Sequence, residues 1–291
     1  MTNGQYLLLG RSRVSAEITL PQVARVQDEE HRRQPGVEDN TIDFNLLASD
    51  SEAHIFKSVP FHSTFLRTVA LLASAVVRPG TICVDLGCST GRLPRLLRRQ
   101  FGATAPVKIL GIDNSPEMIA EARRKDRNQL TYYVCDDIVT RDLPDSAAFI
   151  SCLFTLQFLE MEARESILAK IHRALEWRGC AVIAEKVLED DGKKQMTSHY
   201  LLNAYKRSMG LTDNEVAAKE RAVRSALRPL GRQDNLRLLQ ARASDRYILS
   251  YRHSDGICTS SKRFEYWTAE WGSFRESDFD PHWCANRPVV P

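Results

Sequence analysis

The stretch VDLGCSTGRL, Val84–Leu93, ends an apolar run and opens a basic amphipathic segment, with one acidic residue and two glycines at the junction. Strand-to-helix turns of this kind face the ligand crevice of α/β proteins, because glycine lets a ligand approach the backbone closely. The residue types decide which ligand suits the turn. Gly87 and Gly91 flank Cys88-Ser89-Thr90 behind Asp85, a GxxxG spacing that is neither GxGxxG nor GxxxxGK(S/T). No lysine stands in the loop to meet a β- or γ-phosphate, so a P-loop is excluded.

Outward from the turn, strand-like and helix-like segments alternate. TICVDLG (81–87), VKILGID (107–113), LTYYVCDD (130–137), AAFISCLFTLQFL (147–159) and GCAVIAEKV (179–187) read as five strands. Between them RLPRLLRRQF (92–101), NSPEMIAEARRK (114–125) and ARESILAKIHRAL (163–175) have helical spacing, the second with Ser115 as N-cap and Pro116 at its first position. A preceding helix, FHSTFLRTVALLASAVV (61–77), stops at Pro79-Gly80. The alternation predicts an α/β fold: a doubly wound, mostly parallel seven-stranded sheet, Rossmann-like. A charged helical insertion follows strand 5 at 190–240, with helices at 196–210 and 213–230 and no strand between them. DRYILSYRH (245–253) and KRFEYWTAEWG (262–272) read as a C-terminal antiparallel hairpin around Ser254-Asp255-Gly256. The domain boundaries expected are a helical or irregular lead-in at 1–55, the ligand-binding domain at 56–273 and a tail at 274–291.

Composition narrows the class. With 43% hydrophobic and 26% charged residues, the 291-residue chain can bury a core without staples. Its net charge of +3 leaves nucleic-acid binding unsupported. The seven cysteines (83, 88, 135, 152, 180, 258 and 284) form no CxxC pair, so reduced thiols and no metal site are expected. The lack of a signal-like or membrane-length apolar run leads us to expect a cytoplasmic protein without membrane contact.

Acidic residues stand at the ends of the first three strands: Asp85, Asp113 and Asp136-Asp137. A carboxylate ending the second strand accepts hydrogen bonds from both ribose hydroxyls and disfavours a phosphate there. Asp137 suits the exocyclic amine of an adenine, and Asp85 the ammonium of an amino acid. S-adenosylmethionine (SAM), a cationic adenosine with an amino-acid tail, fits all three; NAD is the competing ligand. On this reading Asp85, Gly87, Cys88, Ser89 and Gly91 form the cofactor turn.

From about Phe56 to Ala243 the chain resembles carboxy-S-adenosyl-L-methionine synthases, a branch of the class I methyltransferase fold. The resemblance rests on KSVPFHS (57–63), VRPGTICVDLGCSTG (77–91), GIDNSPEMI (111–119), FTLQFLE (154–160), AVIAEKVLED (181–190) and NAYKRSMGLTDNEV (203–216). It implies a homodimer and the synthesis of carboxy-SAM from SAM and prephenate, for modification of a tRNA wobble uridine. It also implies cofactor contacts at Gly87, Cys88 and Ser89, at Asp113 and Asn114, at Asp137 and Ile138, and at the position of Leu153. Three residues depart from the family: His62 stands for a tyrosine, Leu153 for an asparagine and Glu220 for an arginine. That arginine is expected to pair with the extra carboxylate of carboxy-SAM, which a glutamate repels.

The expected activity is methyl transfer from SAM to a small-molecule acceptor, with His62 as the candidate catalytic base. Two alternatives stand beside it. In one, SAM is itself the substrate, for carboxy-SAM synthesis or for cyclisation to azetidine-2-carboxylate with release of methylthioadenosine. In the other, the chain is a non-catalytic SAM- or tRNA-binding subunit. His199, Tyr200 and Lys186 are weaker candidates at the site, and Tyr266, Trp267 and Trp271 form an aromatic cluster able to cage a sulfonium.

Overall fold

The computed structural model describes residues 51–240, 247–252 and 256–260, all within the unit Asn40–Pro291. Helices α1 (Ser51–Ser58) and α2 (His62–Val76) lead into strand β1 (Ile82–Leu86). Helix α3 (Arg92–Phe101), strand β2 (Lys108–Asp113), helix α4 (Pro116–Lys125) and strands β3 (Thr131–Cys135) and β4 (Ala147–Leu153) follow. Then come α5 (Met161–Ala174) and β5 (Leu175–Glu185). The insertion holds α6 (Gly192–Ser208), α7 (Asp213–Ala226) and α8 (Arg232–Gln240), with a two-residue parallel pair formed by β6 (Val187–Leu188) and β7 (Leu230–Gly231). The chain ends in β8 (Tyr247–Arg252) and β9 (Gly256–Ser260).

The main sheet has the order β3-β2-β1-β4-β5-β8-β9, parallel except for β9, which pairs antiparallel with β8. The order reverses between β1 and β4, so the carboxyl ends of these two strands open the crevice where doubly wound sheets bind ligands.

Strand alternation sorts the core into two layers. Cys83, Ile109, Phe149, Val182 and Ala184 face Phe65, Leu66 and Val69 of α2 and Leu93 and Leu97 of α3. Val84, Leu86, Ile150, Cys152 and Ile183 face Ile167, Leu168 and Ile171 of α5 and Leu239 of α8. Each large apolar side chain buried this way contributes roughly 1.5–3 kcal/mol before conformational entropy is subtracted. Helix α4 begins as its residues dictate: Ser115 Oγ accepts from Met118 N at 3.2 Å, and Pro116 occupies the first turn.

Several elements differ from the sequence reading. The fourth strand stops at Leu153, because Phe154 turns left-handed (φ 57°) and the chain continues as a 3-10 turn, Leu156–Phe158. Strand β5 begins at Leu175, earlier than expected, pairing that residue with Ala147 across a bulge. The insertion carries a third helix, α8, whose Leu239 is buried in the core, and a short strand pair where none was expected. The strand that pairs antiparallel with β8 is Gly256–Ser260, so Gly256 lies in a strand where a turn residue was expected, and the expected strand at 262–272 lies outside the described residues. Tyr266, Trp267 and Trp271 lie outside the described residues. Among the described residues no single helix is long and apolar enough to cross a membrane.

A side chain at Gly91, where φ is +74°, meets the Tyr133 ring at 2.6 Å. Gly91→Ala is expected to cost about 2–4 kcal/mol through this clash and the backbone strain, read as a fall in midpoint in a denaturant titration.

Candidate functional site

Asp113, the last residue of β2, organises the crevice. Its Oδ2 accepts from Ser89 N at 2.8 Å and its Oδ1 from Ser115 N at 3.0 Å, so one carboxylate joins the β1 turn to the start of α4. Each oxygen keeps a further lone pair, and the residue is only half-buried. A carboxylate fixed in this way is set to accept two more hydrogen bonds from a vicinal diol.

Asp85 lies deeper. Strand alternation turns it toward the α2 and α3 layer, and the parallel register sets it beside Ser151 of β4, whose Oγ donates to Asp85 Oδ1 at 2.7 Å. Burial pushes the Asp85 carboxyl up to about 7; the Ser151 hydrogen bond opposes the rise and the nearby Asp113 charge adds to it. Asp113 is raised too, by burial, against the pull of the Ser115 and Ser89 amides. Among the described residues neither carboxylate forms an ion pair with Lys, Arg or His. Two neighbouring carboxylates without a protein cation fit a ligand that brings its own positive charges, as SAM does with its ammonium and sulfonium.

The glycines of the turn are required by protein packing. A Cβ on Gly87 (φ +72°) meets Thr155 Oγ1 at 2.2 Å, and Thr155 Oγ1 itself donates to Leu86 O and Leu153 O. Gly91 is held bare by Tyr133, as described above. The Cys88 thiol packs with Ile119, Ala122 and Tyr133, and burial raises it well above its usual range, so only its backbone faces the turn. Ser89 adopts φ 49°, a rare conformation stabilised by its amide bond to Asp113.

Asn114 and Asp137 are exposed; the Asp137 carboxylate also accepts from Val139 N at 2.8 Å. Ile138 belongs to the core beside α5, and Leu153 packs against the layer formed by α2 and α3. His62 is buried at the start of α2, its ring 6.4 Å from that of Phe154, just past the end of β4. Tyr200 is exposed, whereas Lys186 is half-buried after β5 and its amide donates to Gln157 Oε1 at 2.8 Å.

Glu220 of α7 accepts from His199 Nε2 at 2.7 Å and Asn203 Nδ2 at 2.5 Å, both on α6. Burial alone raises its pKa, but these hydrogen bonds and the charges of His199 and Lys206 hold the carboxyl below its usual range. Burial lowers the Lys186 ammonium below its usual range, and the Glu220 charge opposes that shift. Arg221 is exposed, one helical step and about 100° further round.

Sequence reading missed Ser151, Thr155 and a buried network below the crevice. In that network Glu185 Oε1 accepts from Gln157 N at 3.1 Å, and fully buried Arg164 donates to Leu159 O at 2.9 Å and to Arg228 O. Arg164 also stands 4.0 Å from Glu185, tying α5 and β5 to the chain after α7. Only the sheet register brings these residues together; FTLQFLE as a motif was the one sequence signal for Thr155 and Gln157.

A methyltransferase domain model matches residues 83–179. The carboxy-S-adenosyl-L-methionine synthase of Shewanella sp. (strain ANA-3) is 32% identical over 205 residues, covering 68% of this chain and 81% of its own length. The chain belongs to the carboxy-S-adenosyl-L-methionine synthase family. The synthase of Helicobacter pylori is also 32% identical, over 206 residues, covering 65% of this chain and 82% of its own. Among solved structures, a TehB-like SAM-dependent methyltransferase from Corynebacterium glutamicum is 29% identical, covering 40% of this chain and 60% of its own, with a TM-score of 0.34. As a member of this family the chain is a SAM-dependent transferase with a class I methyltransferase fold, and SAM is its cofactor or substrate.

The raised Asp85 has a stability consequence. With a folded pKa of about 7 against the usual 3.8, the folded protein holds a proton that the unfolded chain has released between these values. The associated stability is complete below the lower value and is lost as pH rises through the upper one. Chemical denaturation of the ligand-free protein from about pH 4 to pH 7.5 is expected to show a fall on the order of 2–4 kcal/mol from this residue, removed in Asp85→Asn. Glu185, raised by burial to about 7, adds a fall of the same sign that Asp85→Asn leaves in place.

Proposed function

We propose that the chain transfers a methyl group from SAM to a small-molecule acceptor in place of making carboxy-SAM. Glu220 carries this reading. The family resemblance implies an arginine there to meet the extra carboxylate of carboxy-SAM, and this chain has a carboxylate fixed by His199 and Asn203. A fixed negative charge opposes a second carboxylate by like-charge repulsion, whereas unmodified SAM brings none there.

SAM supplies an electrophilic methyl group, whose bond to sulfur breaks with both electrons going to sulfur as the acceptor's lone pair bonds the carbon. The residues bind, align and exclude water. Asp113 and Asn114 hold the ribose, Asp137 and the backbone at Ile138 meet the adenine, and Gly87, the Cys88 backbone and Ser89 line the amino-acid tail. Asp85 balances the ammonium, and the apolar Leu153 borders the acceptor side. His62 takes the acceptor's proton where the acceptor must lose one.

A homodimer through α6 accompanies this reading, because Met196, Tyr200 and Leu201 expose 72%, 68% and 60% of their surface along that helix. Cys83, Cys88, Cys135, Cys152 and Cys180 are free, which suits a reducing cytoplasmic setting.

The activity for which the synthase relatives are named favours a second reading, in which SAM is the substrate. It covers carboxy-SAM formation with prephenate. It also covers attack of SAM's amine on its own γ-carbon, giving azetidine-2-carboxylate as the carbon–sulfur bond breaks to release methylthioadenosine.

Mass spectrometry separates the two readings. Methyl transfer predicts that SAM stays intact when incubated alone with the protein. Adding a small-molecule extract then yields S-adenosylhomocysteine together with a methylated product. Methylthioadenosine from SAM alone, or carboxy-SAM on adding prephenate, contradicts the proposal.

A further inference from the structure

Three cationic or polar donors converge on one oxygen of Glu52, near the start of α1. Glu52 Oε1 accepts from Arg95 Nη2 at 2.6 Å, Lys125 Nζ at 2.9 Å and Thr90 Oγ1 at 3.1 Å. Burial alone raises this carboxyl, but the hydrogen bonds and charges of Lys125 and Arg95 hold it below its usual range. Thr90 is buried inside the glycine turn, between Ser89 on the Asp113 carboxylate and Gly91 at the start of α3. Arg95 also donates to Thr90 O at 2.5 Å, so the residue that grips Glu52 also fixes the turn's backbone.

The other end of α1 is tied to the insertion. Phe56 O accepts from Tyr205 of α6 at 3.0 Å, and Ser58 Oγ accepts from Lys219 of α7 at 2.9 Å. Eight residues therefore reach from the turn after β1 to the helices after β5, on either side of the strand-order reversal.

We propose that Glu52 is a positioning residue that straps α1 between the SAM-binding turn and the insertion, and so controls how fast SAM and its product enter and leave. The clasp acts through Thr90 and Arg95 and touches no substrate itself. Its side chains keep 17–30% exposure, so salt reaches the ion pairs and loosens them. The proposal concerns binding and is independent of whether the methyl group or another part of SAM reacts.

The test is binding kinetics of S-adenosylhomocysteine on the immobilised full chain, at about 0.05 M and 0.5 M NaCl. In the wild type, dissociation is expected to quicken with salt. In Glu52→Gln, association and dissociation both quicken at low salt, dissociation by about tenfold, and the salt effect disappears. Tyr205→Phe, which removes one of the two bonds at the far end, quickens dissociation and keeps the salt effect. A purely structural Glu52 slows association and lowers the melting temperature, and that result overturns the proposal. Dissociation from Glu52→Gln within about twofold of wild type, or with its salt dependence intact, overturns it as well.

Discussion

The grip of the Asp113 carboxylate on two backbone amides, Ser89 N and Ser115 N, underlies the rest of the site. Charge-assisted bonds of this kind are stronger than neutral ones and pin both flanking segments to the end of β2. They hold Ser89 in its rare backbone conformation and fix the entry of α4. Because β2 neighbours β1, and β1 borders the point where strand order reverses, the pinned turn stands at the ligand crevice of the fold.

Under the proposed function, the charge around this grip suits a cationic adenosine. Burial and then the Asp113 charge raise the cost of ionising Asp85, and no described Lys, Arg or His forms an ion pair with either carboxylate. A ligand carrying an ammonium and a sulfonium relieves both. Toward the insertion the charge pattern departs from what the family resemblance implies, with Glu220 held negative by His199 and Asn203. Under the proposed function, Asp113 and the glycine turn serve SAM as the family resemblance implies, and Glu220 of α7 is where the chain departs from it.

The strands and helices from β1 to β5 were legible because their alternation and caps are local properties. Ser115 and Pro116 marked α4 correctly, and Asp113 emerged from its place at a strand end. What depends on register was not legible. The glycines of the turn suggested close approach of a ligand, yet Gly87 is bare for Thr155 and Gly91 for Tyr133, residues far away in sequence. Ser151 meets Asp85 only because β4 runs beside β1. Helix α8 was missed because its apolar residues are few and set among charges, although tertiary packing buries Leu239. The pairing partner of β8 is the Gly256–Ser260 segment, which has no alternating apolar pattern to mark it as a strand in the sequence.

The account stands or falls on Asp113 as the residue that joins fold to ligand. Titration calorimetry of SAM into Asp113→Asn tests it most directly, because the amide keeps the shape but turns one acceptor into a donor facing a backbone N–H. The account predicts affinity weakened by about a hundredfold or more with an unchanged circular-dichroism spectrum. SAM binding within about threefold of wild type contradicts it.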